Sequence, residues 1–460
     1  MLTRRKWFVL ASVAVVLAAV AAMPYLLPLS RLIPYLERGI AQRIHQPVSI
    51  GTLRLFVLPI PHLQAGAISI GRYNLLNVDS ITIHPSISTM FSDTKVIREV
   101  EVRGVHTRLE LLSVARTLIE TSQRKSTDGD EHGGVRVERV TLRDVTVRFP
   151  SFVLSALNAE VRLREGKPAE IRASHQRDRL QLIARRQNSE RWSIDIAGRD
   201  WKLPVGLPLQ FDRLEGNATV TAAGIESKKL SGSLYGGSFS GPVSVRWKSG
   251  WSLAGQLQIE DLDLKPVVAL VNQELALNGR LTAAPRFTSE AQEPADLLSA
   301  LHLESDFSVE HGVLHKVDLV AAAKSPLNRG AAKGGETAFE ELQGHVVLDQ
   351  GAYEFSDLNI TSGLLKAQGD VTVLADKKLS GIVRAELRNT GSIVSIPLAV
   401  GGTTRDPNVF LTPGAMAGAV AGTMLMPGFG TAVGMKAGEL AERLFGRKKY
   451  DTRYQEPAQK

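Results

Sequence analysis

The sequence predicts a mainly β protein with an N-terminal transmembrane helix, a few short helices and a Gly-rich helical hairpin near its end. Three observations carry that expectation. Most of residues 135–400 alternates apolar and polar residues with period two, the pattern of a strand with one greasy and one wet face. Residues 7–29 hold no charged residue. Residues 411–435 are also free of charge, and small residues recur there at every fourth position.

Composition sets outer limits. The chain has 460 residues, 43% of them apolar and 6% aromatic, so any core relies on Val, Leu, Ile and Ala. Cysteine is absent, which excludes disulfides, thiol catalysis and Cys-ligated zinc. The formal net charge is +8. Lys and Arg are spread along the strands without the interleaved aromatics of a single-strand binder, which argues against nucleic acid.

Residues 1–6 form a short cytoplasmic tail, and the uncharged run 7–29 is 23 residues long, enough to cross a bilayer. Arg4, Arg5 and Lys6 hold the short side in the cytoplasm and send the rest outward. The alternative is a cleaved signal peptide, because Ala19-Val20-Ala21 has the small-x-small form. The run stays apolar beyond that point, which favours an uncleaved anchor. Within residues 30–120, Leu32, Ile33, Leu36, Ile40 and Ile44 have helical spacing, as in an amphipathic helix. Short β-branched runs broken by Gly51, Pro59 and Pro61 follow, and 111–120 reads as a short helix. Residues 121–134 (TSQRKSTDGDEHGG) read as a flexible linker.

The region 135–410 is strand text interrupted by short helices near 266–277 and 294–301, each opened by proline. Residues 324–337 read as a Gly-rich loop. One hairpin is well marked. Val243, Val245 and Trp247 share one parity, while Ser244, Arg246 and Lys248 hold the other. After a turn at Gly250 the apolar parity resumes with Trp251, Leu253, Leu257 and Ile259. Tyr353 and Phe355 repeat the theme further on. FDRLEG at 211–216 is echoed by FEELQG at 339–344, a weak repeat suggesting a β unit laid down serially.

In the segment 411–446, Gly414, Gly418 and Gly422 form one small-residue ladder and Gly430, Gly434 and Gly438 another, with Pro427 between them. Each half is too short to span a bilayer, and both permit close helix contact. A hairpin dipping into a membrane, a single weak span and a segment packed on protein all fit. In the tail, 447–460, Arg447, Lys448 and Lys449 suit anionic headgroups.

No catalytic or metal motif emerges, and no cofactor is implied. His311 and His315 have i,i+4 spacing but sit in strand text without a neighbouring Glu, so a metal site is not indicated. The segment 428–434 has the wrong spacing for a dinucleotide fingerprint, and neither a G-x-S-x-G elbow nor a Walker loop occurs. A non-enzymatic role follows.

Four stretches together carry a resemblance: LERGIAQRIHQPVSIG (36–51), FVLPIPHLQAGAISIG (56–71), LSGSLYGGSFSGPVSVRWKSGWSLAGQLQIEDLDL (230–264) and IPLAVGGTTRDPNV (396–409). With the anchor they resemble the AsmA family over about residues 1–410. The resemblance implies an inner-membrane protein with its bulk in the periplasm. It also implies an elongated, curved antiparallel sheet forming an open apolar groove, with phospholipids or other acyl lipids as partners. The implied role is in phospholipid transport and outer-membrane homeostasis. On that reading Val243, Val245, Trp247, Trp251, Leu253, Leu257, Ile259, Tyr353 and Phe355 line the groove. The alternative is an assembly factor that offers sheet edges to outer-membrane or other envelope proteins.

Overall fold

The computed structural model describes residues 29–108, 135–425 and 435–440, apart from 45, 59, 72–75, 90–91, 93, 150–151, 205, 272–276, 329, 364 and 390–391. The anchor at 7–29 apart from Leu29, the helix at 111–120, the linker at 121–134, Pro427, Gly430, Gly434 and the tail from 441 lie outside the described residues. Among those described, 24 strands hydrogen-bond in one large mixed sheet, with a few short helices. Two compact units divide the chain, residues 1–232 with 244–248 and residues 233–243 with 249–460.

The first unit opens with α1 (Ile33–Ile44), where the sequence places its amphipathic helix. Its Glu37 carboxylate accepts the backbone N–H of Ile50 at 2.8 Å, and Ile33 packs on a cluster of Ile50, Ile68 and Val78. Strands β1 (Val48–Phe56), β2 (His62–Ile70), β3 (Leu76–Pro85) and β4 (Lys95–Arg108) form an antiparallel meander. The next step is parallel: β4 pairs with both β5 (Val135–Val137) and β6 (Arg139–Arg148) in the same direction. Antiparallel pairing resumes through β7 (Val153–Arg164), β8 (Lys167–His175), β9 (Leu180–Arg186), β10 (Trp192–Lys202) and β11 (Gln210–Thr221). The last strand is β12 (Gly224–Leu234), whose final two residues belong to the second unit.

A line of residues skipped by the ladder crosses β1 to β6: Gly51, Ala67, Asp79, Gly104 and Asp144. Ala67 (φ 51°), Gly104 (φ 66°) and Asp144 (φ 56°) are left-handed, and the register runs unshifted past the line from β1 to β6, a bulge occurring only where β6 meets β7. Gly104 is required twice over. Its φ is positive, and a Cβ there would collide with the Asp79 side chain.

In the second unit, to which β13 (Gly237–Arg246) belongs as far as Val243, β13 pairs with β15 (Gln258–Asp263), while β14 (Trp251–Gln256) pairs with β17 (Arg286–Ala291). β16 (Leu277–Ala283) and β17 both join β18 (His302–Val317). An antiparallel meander continues through β19 (Lys333–Asp349), β20 (Ala352–Thr361), β21 (Leu365–Val373), β22 (Leu379–Asn389), β23 (Ser392–Gly402) and β24 (Pro407–Leu411).

Helices α2 (Leu264–Val271), α3 (Leu319–Lys324) and α4 (Pro413–Leu425) complete this unit. The helix expected at 266–277 begins earlier, at Leu264, and is described as far as Val271, while Leu277 is already in a strand. That at 294–301 is a single 3-10 turn at Pro294–Asp296. The loop expected at 324–337 is partly ordered, with α3 before it and β19 starting at Lys333. Asp318 caps α3 by accepting the Ala321 N–H at 2.8 Å. Buried Thr337 accepts the Leu319 N–H at 2.9 Å and donates to the Val317 carbonyl at 2.7 Å.

The main core lies here. Leu365, Leu398, Leu411 and Ala385 are fully buried with Ala415 and Ala419 of α4. The described part of the Gly-rich segment is therefore helical and rests on protein at Ala415 and Ala419. Residues 435–440 are helical too, and Gly438 lies so close to Gly414 and Gly418 that a Cβ would strike the Gly414 carbonyl. Glu439 pairs with Arg384. Gly422 belongs to α4.

Candidate functional site

In the first unit the strand registers align apolar side chains into continuous rows on one face. One row runs Leu55, Leu63, Ile83, Val100, Val140, Val161, Ile171, Ala184, Ile194, Ala218, one residue from each of ten paired strands. Beside it run Leu53, Ala65, Ile81, Val102, Leu142, Ala159, Ala173, Leu182, Ile196 and Gly216. A third row runs Ile50, Ile68, Val78, Val105, Val145, Leu157, His175, Leu180, Gly198 and Leu214. The skipped residues fall between the second and third rows. They restore the face after a shift of one residue, which would otherwise turn the third row outward.

The rows differ in cover. Every member of the first two is half-buried except Ala218, which is buried. The third is anchored by buried Ile50, Ile68, Val78, His175 and Leu214. Among the described residues the helices of this unit are α1 and two single 3-10 turns, and α1 packs at the β1 edge. No described layer lies over the middle of the first two rows.

The opposite face is charged. Arg103 and Arg143 meet Glu101 at 2.8 and 2.9 Å. Arg162 meets Glu160 at 2.9 Å, Arg172 meets Glu170 at 2.8 Å, and Arg185 bridges Glu170 and Asp195. Asn217 donates to Asp195 at 2.6 Å. The Arg103 hydrogen bond holds the Glu101 carboxyl below its usual value, and Arg162 does the same for Glu160. These side chains are largely solvated, so the ladder fixes which face meets water more than it adds stability.

One polar group is built into the third row. His175 Nδ1 accepts the Trp201 indole N–H at 3.0 Å, and Trp201 stacks on Phe211. Burial pushes the His175 imidazole below its ordinary value, against a backbone hydrogen bond at Ser155.

The groove residues named from sequence are divided. Val245 and Trp247 belong to the first unit, whereas Val243, Trp251, Leu253, Leu257 and Ile259 belong to the second. The expected hairpin is present: β13 is hydrogen-bonded to β14 and pairs antiparallel with β15, Phe239 opposite Ile259, while the other edge of β14 pairs with β17. All seven are half-buried. Trp247 donates its indole N–H to the Ala222 carbonyl at 3.0 Å. Ile259 lies between Phe239 and Ala283, and Leu253 lies opposite Ser289.

Tyr353 and Phe355 share a second face with Leu348, Val346, Val371 and Val373. Phe355 meets Phe307 edge-on at 6.1 Å between centroids, and burial raises the Tyr353 hydroxyl pKa. Toward one end of these strands α3 and α4 cover the face; Tyr353 stands at the other end, half-buried.

Sequence reasoning missed the rows of the first unit, whose available signal was the recurrence of apolar residues at every strand from 48 to 220. His311 and His315 do not converge. His311 is exposed in a left-handed conformation, and His315 pairs with Glu336 at 2.7 Å. Among the described residues no group of His, Cys, Asp or Glu is placed to hold a metal, and no helix is long and apolar enough to cross a membrane. No known family model matches the chain, and no curated protein is detectably similar to it.

Proposed function

We propose that this chain is an AsmA-like lipid-handling protein, anchored in the inner membrane and working in the periplasm. It binds acyl chains on a long apolar sheet face and contributes to phospholipid transport between envelope membranes. The observation that carries the reading is the pair of half-buried rows, ten strands wide, with no described layer over their middle and a salt-bridged face behind. A contiguous apolar surface left uncovered marks an interaction site.

Hydrocarbon suits it. About 0.8 kcal/mol per CH2 favours any apolar contact over water, so a chain leaving a bilayer regains on the sheet what it loses. Rows continuous from strand to strand offer a path along which each step is nearly neutral. The adaptor reading is less supported. Edge strand β24 has five residues and begins at Pro407, features that blunt an edge against pairing.

The test places photo-crosslinking residues at Leu182 and Ile196 on the apolar face and at Arg185 and Asp195 on the opposite face of the full chain in membranes. Phospholipid adducts from the first pair and none from the second are expected. Adducts to envelope proteins alone, with no lipid at Leu182 or Ile196, would overturn the proposal in favour of the adaptor.

A further inference from the structure

At one end of the strands in the first unit, where the apolar rows stop, lies a pocket of about 320 Å³ with four arginines in its lining: Arg98, Arg139, Arg162 and Arg164. Two carboxylates, Glu138 and Glu170, share the wall. Glu170 is already engaged by Arg172 at 2.8 Å and by Arg162 and Arg185 at 3.6 Å. Arg139 and Arg162 stand directly opposite each other and share Glu160. Among the described residues neither Arg98 nor Arg164 has an ion-pair partner. Four guanidiniums against two carboxylates leave an excess of two positive charges, and two of the cations are free to bind something else.

The rest of the wall is apolar. Leu163 and Ala169 complete it, and each lies two residues along its strand from Val161 and Ile171 of the first apolar row. Two residues of strand cover about 7 Å. Arg98 itself lies two residues beyond Val100 of the same row. Arg98 and Leu163 have the parity of the apolar rows, whereas Arg139, Arg162 and Arg164 alternate onto the salt-bridged face, so the pocket lies at the strand ends where the two faces meet, about 7 Å from the first row.

We propose that this pocket receives the phosphate of an acyl lipid whose chains lie on the adjoining rows. The inference rests on the lipid reading above and adds a headgroup site to it. Guanidinium groups suit phosphate because their paired N–H donors match its oxygens. Arg98 and Arg164 bind the phosphate, while Arg139 and Arg162, held by Glu160, shape the wall.

The full chain in detergent is titrated with dioctanoyl phosphatidylglycerol, dioctanoylglycerol and inorganic phosphate, each below its aggregation threshold where one exists. Arg98→Gln/Arg164→Gln is compared with Lys228→Gln/Lys229→Gln, which removes equal charge from exposed positions on β12. The pocket variant is expected to bind the phospholipid about tenfold more weakly and dioctanoylglycerol unchanged, with the control variant matching wild type. Glyceride binding with no preference for the phosphorylated lipid, or equal loss in both variants, overturns the headgroup site and leaves the lipid reading standing. Failure of both lipids to bind wild type refutes both readings. If only inorganic phosphate then binds, and only while Arg98 and Arg164 are present, the pocket belongs to a free anion and the lipid assignment fails.

Discussion

If the apolar rows of the first unit are open, truncating one of their leucines costs far less than truncating a leucine beneath a helix. Leu398 is fully buried among Leu365, Leu411, Ala385 and Ala415. Leu398→Ala removes three carbons, about 2.4 kcal/mol of transfer free energy, and leaves a cavity costing about another 1 kcal/mol. The expected loss is about 3–4 kcal/mol. Leu182 is half-buried in the second row, with no described layer above to leave a void. Leu182→Ala forfeits about half the transfer term, about 1 kcal/mol. The two units need not unfold together, so the assay is hydrogen exchange of the full chain, read on peptides from β9–β10 and from β22–β24. A loss at Leu182 as large as that at Leu398 would mean that the rows are sealed by other protein, and the lipid reading would lose its foundation.

Other expectations follow from single residues. Thr337→Val leaves the Leu319 N–H and the Val317 carbonyl without a buried partner, costing about 2–3 kcal/mol by the same exchange assay, whereas Thr337→Ser retains most of that stability. Gly104→Ala forces a Cβ into a left-handed residue against Asp79 and costs roughly 2 kcal/mol in the first unit; adding Asp79→Ala recovers part of it, and no recovery would show the collision to be unimportant. His175 is held neutral by burial, so its contribution is present above the ordinary histidine pKa of about 6.5 and is lost as pH falls below it. Urea midpoints of the first unit should drop between pH 7 and 5, and His175→Leu should flatten that slope; an unchanged slope refutes the assignment.

Much of the fold is legible in the residues because period-two alternation and turn glycines are local signals. The strands around Val243 and Trp251 are found where their alternation places them. Their mutual hairpin is found too, whereas the pairing of the other edge of β14 with β17 is not, since nothing near Gln256 specifies it. The rows of the first unit were hidden for a related reason. In AGAISI at 65–70 the apolar parity breaks at Ala67, and a strand whose parity breaks reads as a weaker strand. Only the pairing reveals that Ala67, Asp79 and Gly104 are skipped together, so that Ile68, Val78 and Val105 still face the same way. The Gly-rich segment shows another limit. Composition alone gives the same apolar helix against lipid or against a sheet, and Ala415 and Ala419 are assigned to protein only by Leu398 and Leu411 beneath them.

The parallel step from β4 to β6 governs where charge collects. Because the two strands start at the same end, Lys95 and Arg98 come within one residue of the level of Arg136 and Arg139, and the β7–β8 turn brings Arg164 and Lys167 to that rim. A tight reversal after Arg108 would run β6 the other way and carry Arg139 to the far end of a ten-residue strand, roughly 30 Å off. One change of chain direction thus gives an otherwise uniform ribbon two unlike ends, and so a polarity by which an amphiphile could be oriented.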